Sequence, residues 1–403
     1  VTATTRTTAA LESNSSAIAY IFESAWGTEP SGALQLIRYN SSTLSPTRTT
    51  QRPNEITSTR EAAISVTTQV TAGGTINYSF SANTFDELVF ANVLQNDWGS
   101  TLAITGSSGD ITLTASSGAV TLSSTTPGKF ASIASHSWIR LLGFTNTANN
   151  TFWFTNTGGT DSPDSISLNG PNLATAVTET PSGAAAKVRS CTIKNGSTFK
   201  SYFVEQQFSS GAVYMQYPGA YASRATLTGG LGAFMTGTVD LVAKTGQTAT
   251  TTASDSTATA APTGRVVDPI GGFVGCYFNG AVLGTGVESF AITLENAGSA
   301  PEYQMGSSSA VGCLGGTFTA SGTLRAYFVD FTLYNNVINE TSGQLSFIVK
   351  DYAGYAYAFT FLDAKLNGSI AVGGPGQAVS VDYTIEAGPT TLGTFVIDRL
   401  AAS

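Results

Sequence analysis

Apolar and polar residues alternate along much of this chain with the two-residue period of half-buried β-strands. In 75–81, Ile76, Tyr78 and Phe80 share one face, and Thr75, Asn77, Ser79 and Ser81 share the other. In 355–361, Tyr355, Tyr357, Phe359 and Phe361 lie opposite Ala356, Ala358 and Thr360, while Leu345, Phe347 and Val349 alternate in the stretch before them. Asp351-Tyr352-Ala353-Gly354 between these runs has the composition of a hairpin turn. A helical period is strongest at Phe85, Leu88, Val89 and Val93, with Thr84 and Glu87 spaced as a capping box before it and Gly99 after it.

The order of these elements recurs. Strands over 64–70 and 75–81, a helix over 84–94 and a hairpin over 199–217 run into Tyr217-Pro218-Gly219-Ala220. Strands over 287–294 and 317–328, a short helix near 330–337 and a hairpin over 344–361 run into Phe361-Leu362-Asp363-Ala364. Self-similarity of this kind predicts one small β unit carried twice. The expected fold is mostly β: two antiparallel β-sandwich or barrel units, each with a short helix, plus an inserted small β domain. The insert is expected to hold short strands at 111–113, 119–122, 138–144 and 151–154. The boundaries follow as 1–103 with 189–248 for the first unit, 104–188 for the insert, 249–264 for a Thr/Ser/Ala-rich linker and 265–403 for the second unit. The segment 27–61 is long, weakly periodic and locally charged, which predicts a functional loop; 296–316 is its shorter counterpart.

Composition narrows the function. Only 11% of the 403 residues are charged, against roughly 25% in ordinary soluble domains, and Ser, Thr, Gly, Ala and Asn fill the difference. Such surfaces suit β-sheets that meet other copies. The formal net charge is −8 and there is no Lys/Arg cluster, so tight binding to nucleic acid phosphates is not expected. Cys191, Cys276 and Cys313 are far apart and odd in number, which predicts free thiols. No apolar run approaches the roughly 20 residues of a membrane span, and 1–10 lacks the apolar core of a secretion signal.

No catalytic set emerges. His136 is the one histidine, so neither a triad nor a His-ligated metal site is expected. Asp161-Ser162-Pro163-Asp164 reads as a turn, and the glycine pairs lack the context of a phosphate loop. No cofactor is expected. Trp153 leaves a minor carbohydrate-stacking possibility.

Several runs carry a family resemblance. Arg52-Pro53-Asn54-Glu55-Ile56-Thr57-Ser58 with Arg60, then 73–81 and Phe85-Asp86-Glu87-Leu88, resembles the tail tube proteins of long-tailed bacteriophages. So does Asn195-Gly196-Ser197-Thr198-Phe199-Lys200-Ser201-Tyr202-Phe203-Val204-Glu205. Trp138-Ile139-Arg140-Leu141-Leu142-Gly143-Phe144-Thr145-Asn146, continuing into Asn149-Asn150-Thr151-Phe152, is similar to the small β module such proteins carry, and 287–386 has the same look.

The resemblance implies a non-enzymatic virion protein with two tube-type units, assembled in the host cytoplasm into the stacked rings of a non-contractile tail. Six such units close a ring, so three copies of a duplicated chain would suffice. Itself, a tape measure protein and tail terminator or tip proteins are the implied partners, and DNA passes through without sequence-specific binding. The implied inter-ring arm is 27–61, with Glu29, Arg38, Arg48, Arg52, Glu55, Arg60 and Glu61, and with Glu302 in its counterpart. A DNA channel should be polar and not basic. The lumen-facing candidates are therefore Thr75, Asn77, Ser79, Ser81, Ser289, Thr293 and Glu295, although bulk water suits these faces equally. A virion-surface receptor- or glycan-binding β protein is the main alternative, and a secreted glycan-active enzyme is a third.

Overall fold

A computed structural model describes residues 11, 13–56, 58, 61–182, 186–208 and 213–402. Strands β1 (Ala17–Phe22), β2 (Gln35–Ile37), β3 (Ser41–Ser42), β4 (Ser45–Gln51) and β5 (Val66–Ser79) lead into helix α1, π-helical over Asp86–Ala91 and α-helical over Asn92–Leu94. Next come β6 (Leu102–Thr105), β7 (Ile111–Ser116), β8 (Ala119–Ser124), β9 (Trp138–Leu142), β10 (Phe152–Thr155), β11 (Ser165–Asn169) and β12 (Lys187–Lys194). The first half finishes with β13 (Tyr202–Gln207), β14 (Tyr214–Gly230), β15 (Thr236–Ala243) and β16 (Gln247–Ala249). The second half holds β17 (Phe273–Phe278), β18 (Ala281–Val282), β19 (Val287–Ala297), β20 (Ala300–Glu302), β21 (Gly312–Leu314) and β22 (Thr317–Tyr327). Helix α2 (Tyr334–Ile338) then precedes β23 (Gly343–Lys350), β24 (Ala356–Ala371), β25 (Ser380–Ala387) and β26 (Phe395–Leu400).

One antiparallel sheet crosses both halves in the order β3/β4, β5, β15, β14, β19, β22, β25, β24. Only the C-terminal stretches of β14 and β24 belong to it. Their N-terminal stretches enter a second layer, which pairs β1, β13, β14 and β16 in the first half and β17, β23, β24 and β26 in the second. The pairing scheme is therefore the same on both sides of the molecule. The large core lies between the layers, with Ile76, Tyr78, Val239, Leu241, Phe290, Ile292, Leu324 and Ile385 from the long sheet and Phe347, Val349, Tyr357 and Phe359 from the second layer.

The second layer of the second half is buried on both faces. Ile348, Ala356, Ala358 and Leu400 alternate with its core residues and turn outward to Trp138, Phe152 and Phe154 of the insert. The insert forms a sheet in the order β6, β12, β9, β10, β11, β8, β7, and β12 also pairs with β26. Its own core contains Ile111, Leu113, Leu122, Trp153 and Ile166. Asp110 ties its strands, accepting from Ser124, Thr125 and Thr126 and pairing with Lys129 at 3.1 Å; these donors hold its carboxyl well below the ordinary range.

Several local expectations change. The stretches 64–70 and 75–81 are one strand, β5, bent at Gly73 (φ 155°) and Gly74 (φ 149°). A Cβ at Gly74 would lie 2.6 Å from the Thr43 carbonyl oxygen. The capping box does not form: Thr84 Oγ1 lies 2.9 Å from Ser81 Oγ in the preceding turn, and Glu87 accepts from the Tyr202 hydroxyl at 3.2 Å. The helix ends at Leu94, with Gln95 in the left-handed region, before Gly99 is reached. Strand β11 adds to the expected strands of the insert, and its Ile166 and Leu168 alternate with Ser165, Ser167 and Asn169. The stretch 249–264 is docked and is not a free tether: buried Glu205 accepts from Thr252 Oγ1 (2.6 Å) and Ala253 N (2.8 Å), and Asp255 accepts from Gly32 N (2.8 Å). Trp138 packs at the junction with the second half, where its indole donates to Ser346 Oγ at 3.0 Å.

Candidate assembly surfaces

Strand alternation gives the long sheet one apolar and one polar face. Rows of directly opposed residues cross the polar face from end to end. One row runs Ser41, Asn77, Thr238, Thr226, Thr293, Ser321, Glu386, Lys365. The next toward β5's start holds Thr75, Asp240, Arg224, Glu295 and Thr319, and on the other side lie Ser79, Thr236, Thr228, Ala291, Thr323, Thr384 and Asn367. Thr75, Asn77, Ser79, Ser289, Thr293 and Glu295 thus share one surface, although they come from different halves. Ser81 departs from it: it lies beyond the strand, fully buried, and accepts from Arg38 at 2.6 Å.

The remaining polar-face residues escaped the sequence reading. Their signal was present, since Thr319, Ser321, Thr323 and Arg325 alternate with Ala320, Leu324 and Ala326. Each base on the face has an acid opposite it: Arg224 stands between Asp240 and Glu295, and Lys365 stands beside Glu386. Arg325 bonds Glu288 at 2.7 Å and Asp382 at 3.3 Å, and the first contact holds Glu288 below its ordinary range. The face is therefore hydroxyl-rich and carries no unopposed row of cations.

The sheet has two free edges among the described residues. One is the outer side of β3 and β4; the other is the stretch 365–371 of β24, which pairs only with β25. The corresponding stretch of β14 is paired on both sides. Past the body, β4 and the start of β5 continue as a two-stranded ribbon exposed on both faces. The segment 27–61 is thus not one long loop. Its first part is packed: Leu34 and Ile37 are buried, and Arg38 donates to Ser81 and to the Gly264 carbonyl. Glu29 is exposed at its base. Arg48, Arg52, Glu55 and Glu61 are exposed on the ribbon and the chain beyond it, with Ile56, Ile64 and Val66 also exposed; Arg60 lies outside the described residues. Exposed Glu302 belongs to the β20–β21 hairpin, and the following loop meets the ribbon where Val70 N donates to the Ser308 carbonyl at 2.8 Å.

The two helices differ sharply. Leu88, Val89, Phe90, Ala91, Val93 and Leu94 of α1 are all at most 2% exposed. Second-half groups seal this helix: Phe80 and Phe90 meet the rings of Tyr357 and Phe359, and Asn296 donates to the Val93 carbonyl at 3.0 Å. Asp86, buried nearby, pairs with Arg399 (2.6 Å) and accepts from the Tyr357 hydroxyl (2.8 Å); burial pushes its carboxyl up, against the pull of both partners. Around α2, by contrast, Val329, Phe331 and Ile338 are 66%, 56% and 62% exposed.

The insert's junction contains another buried acid. Asp398 accepts from Trp138 N at 2.9 Å and Thr192 Oγ1 at 2.6 Å, and burial without a cation pushes its carboxyl up to about 7. Trp138 and Trp153 are fully buried, so neither forms a platform for a sugar. His136 packs against Phe154, and the three cysteines are free. Among the described residues, no three His, Cys, Asp or Glu side chains are grouped to hold a metal, and no helix is long and apolar enough to cross a membrane.

No curated protein matches the chain. The family model for phage tail tube proteins, however, matches residues 13–387, which include every strand of the long sheet, and the chain belongs to that family.

Proposed function

We propose that this tail tube protein carries two tube-type units, that three chains close a ring with six units, and that rings stack into the tube of a non-contractile tail. The observation that carries this reading is the single sheet with a continuous polar face and a free edge at each end. Edges of that kind seek partners, and a head-to-tail contact that closes by rotation makes a ring. The polar face lines the bore. Its hydroxyls stay hydrated, and its opposed charges offer DNA no cationic track. DNA is ejected through this conduit without sequence-specific contacts.

The insert stands outside the tube, because two sheet layers separate it from the polar face. The ribbon, with Arg48, Arg52, Glu55 and Glu61, reaches the adjacent ring. A tape measure protein inside the bore and terminator or tip proteins at the ends complete the set of partners. Assembly occurs in the host cytoplasm.

Negative-stain microscopy of the purified full chain tests the proposal. Hollow filaments with three chains per ring are expected. Six whole chains per ring would overturn the trimer, and discrete globular oligomers without filaments would overturn the tube reading.

A further inference from the structure

We infer that the junction between the two halves of one chain is the template, residue by residue, for the junction between neighbouring chains. This rests on the ring reading above. Inside the chain, the C-terminal stretch of β14 pairs with β19, with Thr226 opposite Thr293, Leu227 opposite Ile292 and Arg224 opposite Glu295. The second half offers the stretch of β24 that matches β14; among the described residues no strand pairs with its outer side, and Lys365 at its start bonds Glu340 just past α2 at 2.8 Å. The first half offers β3 and β4, which match β19, and their outer side is equally free.

The correspondence can be fixed by register. Phe80 N donates to the Met235 carbonyl, and Phe328 N donates to the Val379 carbonyl, so β5 and β22 sit alike on β15 and β25. Ile76 faces Val239, which faces Ala225; Leu324 faces Tyr383, which faces Gly368. Ser369 therefore takes the place of Thr226. Gly73 and Ser321 each lie three residues before these positions, and they face Ser45 and Thr293. Ser45 therefore takes the place of Thr293. Between chains, Ser369 stands opposite Ser45, Ile370 opposite Leu44, and Asn367 opposite Thr47. Pro46 takes the place of Leu294 and lacks an N–H, so this ladder has one bond fewer than the internal one.

The same mapping finds the cover for α2. Inside the chain, Phe80 and Phe90 pack on Tyr357 and Phe359, which lie four and two residues before Phe361. Tyr217 and Phe361 occupy matching places, opposite Val204 and Leu345. The counterparts of Tyr357 and Phe359 are then Val213 and Met215. Val213 is 42% exposed and Met215 is half-buried, so this surface is open as the mapping requires. Phe328, Phe331 and Ile338 of one chain pack on Val213 and Met215 of the next.

Paired cysteines at Ser45→Cys and Ser369→Cys test the register in the full chain, with half-exposed Cys313 replaced by Ser. Ser45 turns its backbone groups toward β5, so the new pair is a non-hydrogen-bonded one, with Cα atoms about 4.5 Å apart and within disulfide range. Mild oxidation of assembled protein should give reducible species of two and three chains on denaturing gels, and Thr49→Cys with Ser369→Cys should give none. Filaments without the Ser45–Ser369 cross-link would overturn the register and leave the ring reading intact. A ladder continuing past three chains would keep the register and overturn the three-chain ring. Absence of filaments from the unmodified chain would overturn the ring reading itself. Ile338→Asp, at an exposed site, should leave a folded monomer by circular dichroism and abolish rings; normal rings from it would overturn the packing proposed for α2.

Discussion

Helix α1 and helix α2 occupy the same place in the order of elements, yet one is sealed and the other, with Tyr334 and Val337 packed inward, leaves Ile338 and nearby Phe331 exposed. The difference does not arise within either half. It arises from what stands beside it: α1 has the second half of its own chain over it, through Tyr357, Phe359 and Asn296, whereas α2 lies at the end of the chain's sheet. Sequence follows this placement. Leu88, Val89 and Phe90 fill a closed core, while α2 reads Tyr334, Asn335, Asn336, Val337, Ile338, with polar residues between its apolar ones. A surface that must survive in water before assembly cannot be apolar throughout.

The largest break in this comparison should come from the insert. Replacing 106–186 with a Gly/Ser linker uncovers Tyr277, Ile348, Ala358 and Leu400 and removes the Trp138 donor from Asp398. Cooperative unfolding monitored by circular dichroism should be lost, where an independent decoration would have left it unchanged. Next, Phe80→Ala should destabilise the monomer by about 3–5 kcal/mol in urea denaturation, as expected for a fully packed aromatic. Ile338→Ala should shift the same measurement by less than about 0.5 kcal/mol, as expected for an exposed site. Equal effects would erase the distinction between the two helices.

A smaller effect concerns pH. Asp398 has a folded-state value of about 7, raised from an ordinary 3.8. The folded state binds the proton more tightly than the unfolded chain, so this group's contribution is greatest in acid and is lost as pH rises toward 7. Asp398→Asn should flatten the stability profile between about pH 4 and 7. An unchanged slope in thermal melts would remove Asp398 as its source. The smallest effect on the monomer belongs to the ribbon: shortening 53–64 should leave its melting temperature within about 1 °C, as expected of exposed residues. Under the stacking proposal, the same variant should fail to form long filaments, and its wild-type counterpart should lose them as salt rises.

Much of this architecture was legible in the chain. Strict alternation in 75–81 and 355–361 marked the strands and their faces, and Asp351 to Gly354 marked a hairpin turn that forms with Tyr355 N donating to Asp351 Oδ1. The polar set was half visible, because Thr75, Asn77 and Ser79 sit in a short clean run while Thr226 and Thr238 sit in strands interrupted by glycine or a bulge. The segment 27–61 reads as a loop because Ser45, Thr47 and Thr49 of β4 alternate with Pro46, Arg48 and Thr50, and a ribbon exposed on both faces has no apolar period to betray it. Arg38 looked like its neighbours Arg48 and Arg52, although it reaches 226 residues along the chain to the Gly264 carbonyl.

The sequence by itself determined the strands, their inward and outward faces, the near absence of charge and the repeated order of elements. These follow from local periodicity, which any stretch of chain carries within itself. Only the tertiary structure decided that the two halves share one sheet, that Trp138 belongs to a junction and Trp153 to a core, and that one edge of β24 is left unpaired. Those outcomes depend on which distant segments exclude water from each other, and residues far apart in the chain do not announce that pairing in their own local pattern.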